Sequence, residues 1–508
     1  MKKNYIIIIY SLIWIIPIYI LMKDFFKIDS LNYIKDSYYL RILLNTIIQA
    51  LLSSVFSFIV AIVPAIYVSK SKSILSKILE ASIFIPFFFP PISAVIAFSL
   101  IYSNYGILNN LGMNINIMYT LKGVVMAHIF YNSPIFVKYI SSSIRSIPNN
   151  IIENAELEGS NKIKLFLKIQ IPMIFPSILR AFFLVFTYSF TSFAIVMSIG
   201  GLRYSTLEVA ISNALRGNLD FSKALSLAIL QFIILLILNI FTTTNENYEI
   251  EYKTYDKKVN KILLIGALIY FIFEYSIIIT GILSSVYDFI NMKFDIEGLK
   301  NIFSTEFNNK YPVIKSIINS LSISFISAIT STLIAYIILK NYTKFSNIII
   351  LSTLGISSAF LATSLLYMNI LYNINYVILL VIGFILITIP ISYSFLYQHV
   401  LGFKKEILEA GAIDGANKLK IFTKIELPIL FPILISTFMQ IFAIIYGEFT
   451  ITYTMQLRDY LPLVSVVNFT ISSSRLIKES SALSAINVLI IFMLFLISNK
   501  IQTKYIKN

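Results

Sequence analysis

The sequence predicts an all-α integral membrane protein of about twelve transmembrane helices, arranged as two parallel six-helix repeats. Three observations predict it. Of the 508 residues 57% are hydrophobic and only 13% charged, where a soluble domain is about a quarter charged. The excess apolar surface must face lipid. Twelve apolar stretches approach the roughly 20 residues that cross a hydrocarbon core. Finally, a polar segment near residue 153 recurs 256 residues later without a gap.

The spans expected in the first half are 5–22, 42–68, 78–102, 121–140, 177–200 and 223–243. Those of the second half are 261–284, 313–338, 347–372, 375–396, 433–455 and 481–499. The first could pass for a signal peptide. It lacks a small-residue cleavage pattern, and Lys23-Asp24-Phe25-Phe26 follows directly, so it reads as a retained span. The division is then a first half over 1–243, a cytoplasmic linker over 244–260 rich in Asn, Glu, Lys and Tyr, and a second half over 261–508.

Sidedness follows from the bases. With both termini in the cytoplasm, 23 of the 40 Lys and Arg fall on the cytoplasmic side and 15 outside, while Lys138 and Arg180 lie at span ends. That excess is the positive-inside bias, and it accounts for the net charge of +15 without nucleic acid. Cysteine is absent and only His128 and His399 are present, which leaves no disulfide, thiolate or histidine metal centre.

The repeat runs from Glu153 to Pro172 and from Glu409 to Pro428; over 153–178, eleven of 26 positions are identical. The repeated loops occupy about 150–176 and 404–432. Pro134 pairs with Pro390 at the same offset, and upstream Asn45-Thr46 faces Asn319-Ser320 at an offset of 274, so the first half carries about 18 extra residues, mostly near 103–120. Both copies fall on the cytoplasmic side. The repeat is therefore parallel, about an axis along the membrane normal; an inverted repeat would put the copies on opposite faces.

Each loop reads as a helix, a turn and a second helix leading into the next span. Glu153 and Glu409 suit a helix start, and Gly159 and Gly415 a left-handed helix end. The small residues Ala155, Gly411 and Ala412 leave a surface another protein can approach, and Pro172 and Pro428 suit a first helical turn. Lys162, Lys164, Lys168 and their counterparts make the second segment basic near the headgroups.

This pattern resembles the "EAA" loop of binding-protein-dependent ABC importer permeases, roughly E-A-A-x-x-D-G-A followed by I-x-L-P. The second copy, Glu409-Ala410-Gly411-Ala412-Ile413-Asp414-Gly415-Ala416 with Ile425-Glu426-Leu427-Pro428, nearly matches it. The first departs at Asn154, Glu158, Ser160 and Ile171, keeping charge or size. The resemblance implies a type I importer fold in a bacterial inner membrane. It implies loops that dock on a homodimer of cytoplasmic ABC ATPase subunits, and a solute delivered by an extracytoplasmic binding protein. No Gly is followed by Lys, so there is no P-loop here; ATP and magnesium belong to the partner, and this chain is a transport subunit with no cofactor or catalytic residue.

The stretch Ser189–Gly201, the segment Ser205–Ile211, and Tyr446-Gly447-Glu448-Phe449 look like the fused two-half permeases for ferric iron and thiamine, with ferric iron favoured and polyamine, sulfate and phosphonate importers more distant. Glu274 and Glu448 are the ionisable groups well inside spans, with Glu80 and His128 nearer ends. A mid-bilayer charge costs about 2.5–3.5 kcal/mol on insertion scales, so it faces protein or water. Glu448 aligns with Ser192, and Ser192, Phe193, Glu448 and Phe449 are expected to face each other across the axis as a carboxylate and a hydroxyl between aromatic rings. Glu274 reads as structural. An ion-coupled secondary transporter would need paired intramembrane charges, and a membrane enzyme a polar catalytic cluster; the spans are poor in both.

Overall fold

The computed structural model describes residues 5–83, 85–86, 89–242, 260–289, 292–403, 405–455 and 460–506. The linker 244–260, apart from Asn260, lies outside the described residues. Among the described residues ten helices are long and apolar enough to cross a membrane, or eleven if one bent pair counts as a span. The expected twelfth is the helix Leu121–Arg145. At 25 residues it reaches about 38 Å, but Lys122, His128, Asn132 and Lys138 lower its hydropathy. Protein surrounds it: most of its residues from Gly123 to Val137 are buried. A helix wrapped by other helices need not be apolar all round, which is why hydropathy undercounts it.

Within each half the second, fourth and fifth spans pack together: Ser37–Lys70 with Leu121–Arg145 and Ile171–Phe190, and Val313–Lys340 with Tyr376–Leu401 and Leu427–Tyr446. The first span of each half reaches across. Tyr5–Phe25 packs on Ser358–Tyr372 of the second half, and Lys261–Leu283 packs on Pro91–Tyr102 of the first. Tyr10 and Thr353 share a 2.7 Å hydrogen bond between their hydroxyls, and the Tyr367 hydroxyl donates to Asp24 at 2.7 Å. Ser133 donates to the buried Glu274 at 3.0 Å. Glu274 is thus a fastener between the halves, which is the structural role its span suggested. The extra length of the first half sits where expected: residues 103–120 separate Pro91–Tyr102 from Leu121–Arg145, against 373–375 in the second half.

Two pairs of spans differ from the uninterrupted helices expected. The third spans are broken. In the first half Ile74–Ser82 and Pro91–Tyr102 are separate helices, and Pro86, Pro90 and Pro91 supply the break by removing amide donors. In the second half Lys344–Gly355 and Ser358–Tyr372 meet at 92°, where the Ser357 hydroxyl caps the new helix by accepting from the Phe360 amide at 3.2 Å. The fifth spans stop in mid-course, at Phe190 and Tyr446. That second correction shapes the candidate site.

Candidate functional site: two coupling loops and an aromatic plug

The loops share their turn geometry and capping hydrogen bonds. The helices Asn149–Leu157 and Lys405–Ile413 end in the same motif. Gly159 donates to Glu156 and Ser160 to Ala155; Gly415 donates to Ala412 and Ala416 to Gly411, all at 3.0–3.1 Å. These are paired 6→1 and 5→2 bonds with the glycine left-handed, at φ +78° in both loops. Glycine is needed for that backbone angle rather than for space, since a Cβ at either position would meet nothing within 4 Å. Asn161 and Asn417 then cap the second segment, accepting from the Lys164 and Lys420 amides at 2.8 Å. The chain runs on without a stop through π-turns at Phe166–Gln170 and Phe422–Glu426 into the fifth spans. Pro172 and Pro428 therefore do not begin a new helix, as the sequence suggested. They sit just past a π-turn inside a continuing one, where the wider turn accommodates the missing amide donor.

Exposure separates the loop residues into two sets. Glu153, Glu158, Gly159, Glu409, Ala410, Ala412, Asp414 and Gly415 are exposed, as is Pro172; Pro428 is exposed as well. Ala155 and Gly411 are buried against their own loop, a Cβ on Gly411 falling 2.5 Å from the Ile425 side chain. Their small size serves internal packing, not the approach of a partner, which corrects the expectation for those two. The sequence reading passed over the loop tips. Leu157 is 85% exposed and Ile413, at the same place in the repeat, 86%. A large aliphatic side chain held out to solvent twice, at equivalent positions, is an apolar knob left uncovered by the described residues. The repeat alignment contained that signal.

Both fifth spans break where the repeat placed the pathway residues. Past the breaks, after Gly201 and Leu463, the chain forms a short helix in each half: Leu207–Arg216 and Val464–Ser473. Both lie between the expected spans, and the sequence used only Ser205–Ile211, for its resemblance. Their first amides are received by the second spans, Leu207 by the Thr46 hydroxyl and Val464 by the Ser320 hydroxyl, both at 2.9 Å. Beside them Asn45 donates to the Arg203 carbonyl at 3.3 Å and Asn319 to the Pro462 carbonyl at 3.1 Å. The Asn45-Thr46 and Asn319-Ser320 pairs, visible in the sequence only as a match, are the hooks that hold these helices. Glu208, which lies between the expected spans, is fully buried. It accepts from Gln231 at 2.8 Å, from the Ser357 hydroxyl at 3.0 Å and from the Ala359 amide at 3.2 Å, tying the first half to the broken third span of the second.

At the breaks Phe193 and Phe449 meet across the halves. Their rings stack with centroids 6.0 Å apart and planes at 19°. Tyr453 stacks on Phe449 at 4.8 Å, Phe469 lies 5.0 Å from Phe449, and the Arg216 guanidinium covers Tyr453 at 3.6 Å from its centroid. Phe193 is 3% exposed and Phe449 2%, so these two rings are closed off from solvent. Glu448 departs from the expected geometry. Its carboxylate turns along its own chain and accepts from the Ile451 amide at 3.0 Å and the Thr452 amide at 3.4 Å, and its carbonyl accepts from the Ser465 hydroxyl at 2.6 Å. It caps the segment after the break instead of reaching toward Ser192. Ser192, Phe193, Glu448 and Phe449 nevertheless line one cavity of ≈ 270 Å³, together with His128 and Asn132.

Residues 53–246 match the family described as binding-protein-dependent transport system inner membrane component. The chain is 26% identical over 240 residues to the probable transport system permease protein NifC of Clostridium pasteurianum, covering 46% of this chain and 84% of that protein. It is 30% identical over 271 residues to the thiamine transport system permease protein ThiP of Haemophilus influenzae, 49% of this chain and 50% of that one. To ThiP of Brucella abortus (strain 2308) it is 31% identical over 223 residues, 42% and 41% of the two chains. The alignments thus span half or less of these ThiP proteins. The likeness that the loops imply, to binding-protein-dependent ABC importer permeases, holds on comparison.

Proposed function

We propose, from this likeness, that the chain is the membrane-spanning subunit of an ABC importer in a bacterial inner membrane, with both termini cytoplasmic. It receives a solute from an extracytoplasmic binding protein and passes it inward, while a pair of identical ATPase subunits binds and hydrolyses ATP. One observation carries the reading: two loops of one fold, at equivalent places in a parallel repeat, each holding out an aliphatic knob. Each loop continues into a 20-residue helix, about 30 Å long, whose far end is the break beside Phe193 or Phe449. A push on the loops travels along these two levers to the plug. Stacked rings that part when the levers move make a gate.

Thiamine is the cargo favoured by the relatives' names, and ferric iron by the sequence pattern alone. Uptake into proteoliposomes containing the chain, its ATPase and its binding protein separates the two: saturable ATP-dependent accumulation of radiolabelled thiamine and not of iron supports the first, and the reverse supports the second. The pathway role of Glu448 is tested in the same vesicles. Glu448→Leu is expected to lower transport more than Glu448→Gln, and wild-type rates in Glu448→Leu would remove Glu448 from the pathway. Because the chain lacks cysteine, single cysteines at Ser160, Ala416, Asn109 and Asn301 report topology. An impermeant thiol reagent should label the last two in intact cells and spare the first two; labelling of one loop alone defeats the parallel repeat.

A further inference from the structure

The cavity at the breaks carries a group that the gate does not use. Its wall is formed by both fifth spans where they stop, with Tyr188, Ser192 and Glu448 among them, and by His128 of the fourth span. His128 is only 1% exposed. Its Nδ1 lies 3.0 Å from the Ser53 hydroxyl, which holds the imidazole in place. Its Nε2 has no hydrogen-bond partner among the described residues. A buried polar atom left unpaired costs free energy that a ligand in the cavity can restore. Nε2 donates to that ligand or accepts from it, according to which nitrogen carries the proton.

The repeat shows that the fold does not require this histidine. At the 256-residue offset His128 corresponds to Phe384, and at the offset of 274 Ser53 corresponds to Ser327. Phe384 is buried as well, and the Ser327 hydroxyl is left without a partner among the described residues. The void beside Phe384 holds ≈ 0 Å³, where the cavity beside His128 holds ≈ 270 Å³. The second half is therefore packed shut with a phenylalanine at the place where the first half keeps a cavity and an imidazole.

The rest of the wall limits what can sit there. Phe89, Tyr131, Tyr188, Phe193 and Phe449 line it, with one carboxylate from Glu448. No Lys or Arg is among the described lining residues; the Arg216 guanidinium covers Tyr453, which is not in the wall. An anion would meet a carboxylate with no cation to offset it. A bare ferric ion would find one carboxylate and one imidazole, too few donors to replace its water. A flat organic cation is matched on both counts: aromatic faces attract positive charge and stack on a ring, and the carboxylate adds its field.

We propose that this cavity holds the cargo part-way across the membrane, that it takes a flat organic cation, and that His128 Nε2 selects it by pairing with a ring nitrogen or amine. His128 is then a specificity residue supplied by one half alone. Both statements rest on the importer reading and add to it a stop on the route and a class of cargo.

The test uses the full chain in lipid nanodiscs, without ATPase or binding protein. Radiolabelled thiamine is the probe, and sulfate and ferric citrate are the competitors. One thiamine should bind per chain, and neither competitor should displace it at about hundredfold excess. His128→Phe, which copies the second half, should weaken thiamine about tenfold through the lost hydrogen bond and the filled space. His128→Gln keeps a hydrogen-bonding group there and should stay within about threefold of wild type. The ligand-free thermal midpoint should be alike in wild type and His128→Phe, and only its rise with thiamine should be lost; a merely structural histidine would show the opposite. Unchanged affinity in His128→Phe, or displacement by sulfate or ferric citrate, overturns the proposal. Absence of thiamine binding overturns it too. If the same chain, joined to its ATPase and binding protein, then still accumulates thiamine in vesicles, the site alone fails and the importer reading stands; if accumulation is also absent, the thiamine assignment fails with it.

Discussion

In the second half Glu426 sits at the base of the repeated loop and takes two partners from the second span: the Lys340 ammonium at 2.7 Å and the Tyr336 hydroxyl at 2.5 Å. At the same place in the first half stands Gln170, buried, with its side-chain carbonyl unpartnered among the described residues. The first half has its charge pair elsewhere. Arg145, at the end of the helix that precedes the loop, holds Glu80 in an ion pair and donates to the Val68 carbonyl at 2.7 Å. One loop is therefore braced behind its outgoing helix and the other before its incoming one. The loop fold is common to both; the anchorage is not. What the repeat preserves is the shape presented outward and the lever behind it, while the means of fixing that lever to the bundle has diverged.

The knobs test whether the two loops remain equivalent as docking surfaces. Leu157→Asp combined with Ile413→Asp should lower ATPase co-purification more than tenfold, because apolar knobs filling pockets are where binding energy concentrates. The single variants should each lose a similar part. A single change that abolishes docking while the other is silent would show that one loop carries the contact. Next in size, Gly159→Val and Gly415→Val each force a β-branched residue to φ +78° and should destabilise the loop by about 1–2 kcal/mol. Equal losses of coupled ATPase activity are expected, since neither site is crowded.

The brace itself is measured by a double-mutant cycle on Lys340→Met and Glu426→Gln. Lys340 is 46% exposed and Glu426 9%, so the coupling energy should be about 1 kcal/mol, below that of a fully enclosed pair. The complementary change is Gln170→Glu. Lys70 lies over the Phe166 ring at 6.0 Å as Lys340 lies over Phe422 at 5.1 Å. A carboxylate at 170 should therefore couple to Lys70 by about 0.5 kcal/mol, and a cycle giving zero would mean that the halves differ in backbone placement as well as in side chains. The hooks compare the halves at the outer ends of the second spans. Thr46→Val and Ser320→Ala each remove the acceptor for one amide, and each should lower the thermal midpoint by an amount equivalent to about 1 kcal/mol. Unequal losses would show that one of the two short helices is held by more than its hook.

Much of this architecture was legible in the chain itself. Lipid-facing helices must be apolar for about 20 residues, so most of the spans follow from local composition. The repeat is read by aligning the chain with itself, and the left-handed glycines are local, each depending on residues within one turn of its neighbours. The tertiary structure decided the rest, because it concerns groups far apart in sequence. Composition cannot tell a helix stop from a straight span when both are apolar, so the breaks at Phe190 and Tyr446 and the short helices after them emerge only where Thr46 and Ser320 meet their amides. Carboxylates show the same limit. Glu208 and Glu448 are alike in type, yet one is enclosed between the halves and the other caps its own chain, because a buried carboxylate goes to whichever donors the packed bundle brings within hydrogen-bond reach.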